Sequence, residues 1–231
     1  MKRHAGIALA LLAAALLAGL GVWQVERRAW KLDLIARTQR RLVAAPAAMP
    51  PKASWPRIGR RDEYARLRVT GQWIAARPAL VQALTDYGAG RWVIQPLATP
   101  DGVVLINRGF SPQDARATAS AGPATVTGLL RLSEPGGGFL RRNDPARDAW
   151  YSRDVSAIAR SRELGAIAPF FIDADASSTT GSPGAPRGGL TVVAFPNNHL
   201  IYAITWFVLS GMAGWFAWRL ARAPERGTDL S

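Results

Sequence analysis

The sequence contains no cysteine, and only two of its 231 residues are histidine, His4 and His199. The lack of cysteine excludes disulfides, iron–sulfur clusters, thiol catalysis and Cys-x-x-Cys metal or redox sites, and two histidines are too few for a multi-histidine metal site. Acidic residues are also scarce, because 16 Asp and Glu stand against 29 Lys and Arg and leave a formal net charge of +13. Such a charge is typical of proteins that bind nucleic acid or an anionic membrane, and the distribution of apolar residues decides between the two.

Two long apolar segments lie near the ends of the chain. Residues 5–25 and 200–218 contain no charged side chain, and a helix needs about 20 apolar residues to cross roughly 30 Å of hydrocarbon. Tyr and Trp side chains stand near both ends of the second segment, which is the pattern of a membrane interface. A buried helix of a soluble protein is the alternative for this segment. We predict two transmembrane helices.

The first segment has a second interpretation as a secretory signal peptide, because Lys2 and Arg3 precede a run of Ala and Leu. The small-x-small cleavage pattern is poor at the end of this run, and the run continues into Trp23 and Gln24. These features favour an uncleaved anchor. Both interpretations export the middle of the chain.

Basic residues give the expected orientation. Arg219, Arg222 and Arg226 follow the second segment and favour a cytoplasmic C-terminus, whereas the basic residues after the first segment give the opposite signal. A loop as long as residues 26–199 translocates largely regardless of its charge. We therefore predict a multi-pass protein of the bacterial inner membrane with both termini in the cytoplasm. This location excludes nucleic acid and leaves the lipid bilayer, an acidic protein or a carboxylate-bearing ligand as partners.

The patterns between the two segments predict a small domain with few helices. The expected order along the chain is a cytoplasmic tip and first transmembrane helix (1–25), an amphipathic helical extension and proline-rich linker (26–57), a periplasmic domain (58–198), a second transmembrane helix (199–219) and a cytoplasmic tail (220–231). Strands are predicted at residues 64–73, 91–97, 103–107, 125–132, 167–172 and 190–195, with a hairpin turn at 99–102. The fold class is thus two transmembrane helices flanking a small α+β, mainly antiparallel β domain.

One or two helices are expected in this domain. Ser111 and Pro112 are typical of a helix start, and a capped helix is predicted over residues 153–164, with Ser152 ahead of it. Residues 174–189 are rich in Ser, Thr, Gly and Pro and predict a surface loop.

Residues with catalytic patterns are scarce. Residues 136–138 are three glycines without the Lys-Ser/Thr of a phosphate loop, and they predict a flexible turn. Asp173 and Asp175 are candidates for metal ligands or an acid–base pair, but their place after an apolar run favours turn-forming residues. A serine–histidine–aspartate triad would have to use His199 at the membrane edge. We expect no enzyme activity and no catalytic residue.

His199 is the most informative residue, because an ionisable group at membrane depth is a functional candidate. It begins the second apolar segment, and Tyr202 and Trp206 follow it by three and seven residues on one helical face. One neutral imidazole nitrogen is sufficient for an axial ligand to haem iron. The alternative is an interfacial imidazole that reaches only water or lipid headgroups. Arg27 and Arg28 are candidates for pairing with the haem carboxylates.

Small residues recur at i+4 spacing in both apolar segments, at Gly6, Ala10, Ala14 and Ala18 and again at Ser210 and Gly214. Small faces allow membrane helices to approach closely. This pattern predicts that the two helices pack against each other. In so alanine-rich a run, chance alone often produces such a pattern.

Several motifs along the chain resemble those of the surfeit locus protein 1 family, the assembly factors of cytochrome c oxidase. They are LGVWQVERRAWK at residues 20–31, YARLRVTG at 64–71, LINRGF at 105–110, NDP at 143–145, WYSRD at 150–154, PFFIDA at 169–174 and NHLIYAITW at 198–206. The likeness runs from about residue 19 to residue 219, and the motifs occur in the family's order.

The resemblance implies a role in maturing the catalytic subunit of cytochrome c oxidase by delivering or stabilising haem a. Bacterial relatives are associated with haem binding through a histidine at the start of the second span, which carries over to His199, with Tyr202 and Trp206 beside it. The implied partners are the oxidase catalytic subunit and haem a synthase, and no metal other than haem iron is implied. An interaction scaffold for an oxidase intermediate that never binds haem is the alternative function. Other motif residues are implied to be structural or partner-facing: Gly21, Trp23, Asn107, Arg108, Gly109 and Tyr202.

Overall fold

The computed structural model of the chain describes residues 2–115, 117–179, 184–191 and 197–223. The chain forms two compact units. One, here called the helix unit, comprises residues 1–37 and 194–231, and the other, the β unit, comprises residues 38–193.

The helix unit contains α3 (His199–Arg222) and most of α1 (Lys2–Val43), whose last six residues belong to the β unit. Both are long and apolar enough to cross a membrane, as their length and composition predict. No proline interrupts α1, and the helix continues well past its apolar part to Val43. Residues 224–231 of the predicted tail, including Arg226, lie outside the described residues.

The two helices are antiparallel and in contact. The Nε atom of Arg3 donates to the Leu220 carbonyl at 2.9 Å, and the Ser210 hydroxyl donates to the Ala14 carbonyl at 2.8 Å. Gly21 is buried between the helices, because a Cβ atom built on it would lie 2.6 Å from the Phe207 ring. The predicted packing of small residues is therefore present in the helix unit, where side-chain volume limits how closely two helices approach.

The β unit contains β1 (Ala47–Ala48), β2 (Arg66–Trp73), β3 (Ala79–Thr85), β4 (Gly88–Thr99), β5 (Gly102–Pro112), β6 (Pro123–Leu132), β7 (Gly137–Gly138), β8 (Arg141–Arg142), α2 (Val155–Ser161) and β9 (Ile167–Ala174). Short 3-10 turns cover Lys52–Arg57, Pro145–Arg147 and Ala176–Ser178. The main sheet has the order β1-β2-β6-β9-β5-β4-β3. β1–β2 and β5–β9 are parallel and its other ladders are antiparallel.

The main sheet closes on itself, because β4 also pairs with β2 through Gln72 with Ala98 and Trp73 with Leu97. Closure leaves a barrel-like ring of five strands and removes most of the exposed sheet edge. A mainly antiparallel β domain agrees with the sequence prediction, whereas the closure was not predicted. The predicted hairpin is confirmed, since Thr99 pairs with Gly102 at the turn between β4 and β5.

Successive side chains of the central strands pack alternately into two hydrophobic cores. Val104, Ile106 and Phe170 belong to the core inside the ring, whereas Leu105 and Phe171 belong to a second core that α2 covers. Successive residues of a strand face opposite sides of the sheet. Burial on both sides explains the continuous apolar runs of β5 and β9.

Three local predictions are wrong. Ser111 and Pro112 end β5 and do not start a helix. α2 is shorter than predicted, and its N-cap is Asp154, whose Oδ1 accepts from the Ala157 amide at 3.0 Å, in place of Ser152. Gly137 and Gly138 form the paired strand β7 in place of a flexible turn.

The predictions near the end of the β unit have a mixed outcome. Residues 190 and 191 of the predicted strand 190–195 are not in a strand, and residues 192–195 lie outside the described residues. In the predicted loop 174–189, Ala174 ends β9, a short 3-10 turn covers Ala176–Ser178, and residues 180–183 lie outside the described residues. Strand β3 was missed because its sequence, ALVQALT, has only two β-branched residues, Val81 and Thr85.

Candidate functional site

His199 is the first residue of α3 and is partly buried against α1. Its Nδ1 atom lies 2.7 Å from the side-chain Oε1 atom of Gln24 on α1. No hydrogen bond to its Nε2 atom is present within the described part of the chain. Within the described residues, one ring nitrogen is therefore held by the protein and the other has no partner.

Gln24 is the residue of this contact that sequence reasoning missed. It is only 9% exposed, although it is a polar residue at the end of an apolar run. The spacing of the buried α1 residues gives the signal that could have found it. Gly21 and Gln24 are three residues apart and share the buried face, so a polar side chain there meets the opposite helix.

The predicted common face of α3 holds for some of its residues. Trp206 and Ser210 are partly buried with His199, and Ala203 is fully buried among them. Tyr202 is 54% exposed and lies at the edge of this face, because Ala203 occupies the position that contacts α1. The structure therefore brings His199 and Trp206 to the helix contact but leaves the Tyr202 ring outside it.

Arg27 and Arg28, the two arginines considered as partners of the haem carboxylates, differ in their contacts. The Arg27 guanidinium lies 4.1 Å from the centre of the Trp30 ring in a cation–π contact. Arg28 follows Gln24 by four residues and thus lies one turn further along the same side of α1. Arg28 is partly buried and forms no ion pair among the described residues, which leaves it the better candidate for an acidic ligand group.

A second polar cluster lies in the β unit around Asp173, which is 5% exposed. Its carboxylate accepts from Asn107 Nδ2 at 2.8 Å, from Arg131 Nη1 at 3.1 Å, from Thr191 Oγ1 at 2.9 Å and from Arg153 Nη1 at 3.4 Å. Burial lowers the pKa of Arg131, but the combined effects of Asp173, Tyr64 and Glu63 outweigh burial and raise it. The carboxylate is fully satisfied, which indicates a structural role.

Of the two aspartates that were predicted to form turns, Asp173 instead lies within β9. Asp175 does begin a turn, because its carbonyl accepts from the Ser178 amide at 3.0 Å, and its carboxylate accepts from Arg66 Nη2 at 2.6 Å without capping that turn. Their neighbours do not form a metal centre, because the described residues contain no group of three or more His, Cys, Asp or Glu side chains placed to hold a metal ion.

Residues of the Asn107-Arg108-Gly109 motif on β5 contact both a neighbouring strand and loops. Arg108 Nη1 donates to Gln95 Oε1 at 3.0 Å and to the Thr118 carbonyl at 2.6 Å, and burial lowers the pKa of its guanidinium. Gly109 has a φ of +118°, and a Cβ atom there would lie 2.2 Å from the Arg187 carbonyl oxygen. The motif is thus explained by close backbone packing, for which glycine is required.

Acid is expected to destabilise the β unit through Glu134. Burial favours its neutral form, but hydrogen bonds and the charge of Arg153 outweigh burial and hold its pKa below the usual range. A lowered folded-state pKa contributes stability above the unfolded-state pKa, and that contribution is lost as the pH falls below about 4. Thermal unfolding of the full chain in detergent should therefore show a falling midpoint from pH 5 to pH 3, with a smaller fall for Glu134→Gln. Equal falls in both proteins would contradict the role of Glu134.

Comparison with known proteins covers both units. The SURF1 family model matches residues 11–211. Surfeit locus protein 1 of Rattus norvegicus is 35% identical over 231 residues, which cover 89% of this chain and 73% of the rat protein. Surfeit locus protein 1 of Homo sapiens is 34% identical over 234 residues, covering 89% and 75%. The SURF1-like protein of Monosiga brevicollis is 34% identical over 231 residues, covering 91% and 86%. A match of this extent, from within α1 to within α3, confirms the resemblance in the motifs: the chain belongs to the SURF1 family.

Proposed function

We propose that the protein is a membrane-anchored assembly factor for cytochrome c oxidase that holds haem a transiently at His199 and presents it to the catalytic subunit. The observation that carries the proposal is the hydrogen bonding of the two nitrogens of the His199 ring. Nδ1 is held by Gln24 at 2.7 Å, and Nε2 has no hydrogen bond within the described residues. A histidine ligand needs this arrangement, because one nitrogen must be oriented while the other keeps a lone pair.

The surroundings of His199 fit a flat apolar group with acidic substituents. The Tyr202 and Trp23 side chains are more than half exposed near the ends of the apolar helices, where they offer apolar contact area. Arg28, one turn beyond Gln24, offers a positive charge for a carboxylate. When bound, haem a supplies an iron ion that accepts a nitrogen ligand. His199 would hold the iron, the exposed side chains would cover the ring, and Arg28 would pair with a carboxylate.

A single protein ligand suits a protein that transfers its cargo. The sequence has no cysteine for covalent attachment and no second histidine near His199, since His4 lies at the opposite end of α1. One axial bond restrains haem less strongly than two, so release to an acceptor is easier. We propose no catalysis: the nearest hydroxyl on the contact face, that of Ser210, already donates to a backbone carbonyl, and no nucleophile–base pair accompanies His199 among the described residues.

The proposed location is the bacterial inner membrane, with both termini in the cytoplasm and the β unit in the periplasm. Antiparallel contact between α1 and α3 supports this topology, because two antiparallel spans return the chain to the side from which it began. Arg219 and Arg222 in the last turn of α3 place positive charge at the end proposed to be cytoplasmic. The catalytic subunit of the oxidase is the proposed main partner, and haem a synthase is the proposed haem donor.

The function is tested by the reduced-minus-oxidised absorbance spectrum of membranes from a strain that lacks the gene. We expect the a-type haem signal to be reduced and to be restored by the wild-type protein and by His4→Ala, but not by His199→Ala. Full restoration by His199→Ala would contradict haem delivery and favour the interaction scaffold. An unchanged signal in the deletion strain would contradict the oxidase role itself.

A further inference from the structure

We propose that Gln24 is a positioning residue that fixes the tautomer of His199, so that Nδ1 carries the proton and Nε2 carries the lone pair that binds iron. The inference rests on the proposed haem site and deepens it, because it names the ligating atom and the side chain that orients it.

The direction of the Gln24–His199 hydrogen bond follows from the chemistry of the two atoms. The partner of Nδ1 is the Oε1 atom of Gln24, and an amide oxygen can only accept a hydrogen bond. With the amide in this orientation, Nδ1 donates. A neutral imidazole has one N–H group and one lone pair, so protonation at Nδ1 leaves the lone pair on Nε2. In water a histidine side chain favours the other tautomer, with the proton on Nε2, and the contact reverses that preference.

Burial makes this contact a strong constraint. Gln24 is only 9% exposed, and Ala203, one turn after His199 on α3, is 2% exposed. Three residues before Gln24, the space beside Gly21 is filled by the Phe207 ring, so the helices are closely packed next to the contact. Water has little access to compete for the amide oxygen, and an unpaired polar group there would be costly.

The contact is also of the kind that tunes a metal ligand. Histidines that bind metals donate their other N–H group to a carboxylate, a carbonyl or water, which orients the ring and raises the basicity of the ligating nitrogen. Loss of such a partner commonly reduces metal affinity by about 10- to 100-fold. A side-chain amide oxygen supplies the acceptor without adding a charge at membrane depth.

The first test uses nitrogen NMR of the full chain in detergent without haem. With His4→Gln, His199 is the single histidine, and ¹⁵N-histidine labelling then gives signals from one ring only. We expect a protonated-type shift at Nδ1 and a lone-pair-type shift at Nε2. In Gln24→Met, which keeps the side-chain length without the acceptor, the Nε2-protonated form should appear, and Gln24→Glu should restore the Nδ1-protonated form. An Nε2-protonated ring in the protein with Gln24 intact would overturn the inference whatever the variants do.

The second test separates this inference from the proposed function by haem titration. We expect haem a to bind Gln24→Met about 10- to 100-fold more weakly than wild type, with Gln24→Glu recovering most of the affinity. Equal affinities for all three proteins, with haem bound through His199, would overturn the positioning role and leave the proposed function standing. A Gln24-dependent tautomer in a protein that binds no haem would overturn the proposed function and the assignment of Nε2 as the iron ligand, and would leave the control of the tautomer by Gln24 standing.

Discussion

Haem affinity is expected to fall at least tenfold when His199 is replaced by alanine, equivalent to about 1.4 kcal/mol of binding free energy. The reason is the loss of the one imidazole that the fold presents at the contact between α1 and α3. Hydrogen bonding of Nδ1 to Gln24 at 2.7 Å orients that ring, and alanine leaves only apolar contacts and Arg28 to hold haem. The measurement is a titration of haem a into the full chain in detergent, followed by the Soret absorbance.

The matched control is His4→Ala. His4 is the only other histidine and is exposed near the start of α1, far along the helix from Gln24. We expect its replacement to leave both affinity and the Soret position unchanged. Equal affinity of wild type and His199→Ala would contradict the ligand assignment.

Unfolding free energy of the β unit is expected to fall by about 3–5 kcal/mol in Asp173→Ala. Asp173 is buried and accepts from Arg131 and Arg153, so its loss removes the buried one of two carboxylates that these guanidinium groups share, the other being that of the more exposed Glu134. It also removes the acceptor of the Asn107 amide, which anchors β5 to β9. For a protein of this size each kcal/mol corresponds to about 2–4 °C in the unfolding midpoint, so a fall of roughly 10 °C is expected in thermal unfolding of the full chain.

Asp175→Ala is the control for this change. Asp175 forms a single pair with Arg66, and both side chains are more exposed than that of Asp173. Pairs near the surface contribute about 0–1 kcal/mol, so we expect a shift of no more than a few degrees. Similar midpoints for the two variants would show that the Asp173 cluster is not a main source of stability.

These two aspartates illustrate what the sequence could and could not predict. Both follow the apolar run 167–172, and local propensity suggests a turn for each. Only the parallel pairing of β9 with β5 places Asp173 opposite Asn107, and that pairing joins residues far apart in the chain. Such non-local contacts have no local signal, which also explains why the closure through β2 and β4 was not predicted.

The helices were more predictable, because length and composition alone indicate a membrane-spanning segment. His199 could be selected from the sequence, since an imidazole at the edge of an apolar segment is unusual. Its partner could not, because the pairing of Gln24 with His199 depends on the register between α1 and α3. Tyr202 shows the same limit: helical periodicity placed it near His199, but only the observed contact face shows that Ala203 lies there instead.

The central claim is that His199 binds haem iron, and pulsed electron paramagnetic resonance of the ferric haem complex tests it most directly. In the His4→Gln protein, any imidazole nitrogen coupled to iron must come from His199 or from added imidazole, which the buffer omits. We predict a strong nitrogen hyperfine coupling that changes from the ¹⁴N to the ¹⁵N pattern when the protein is labelled with ¹⁵N-histidine. A bound ferric haem whose nitrogen couplings are unaffected by that label would contradict the claim.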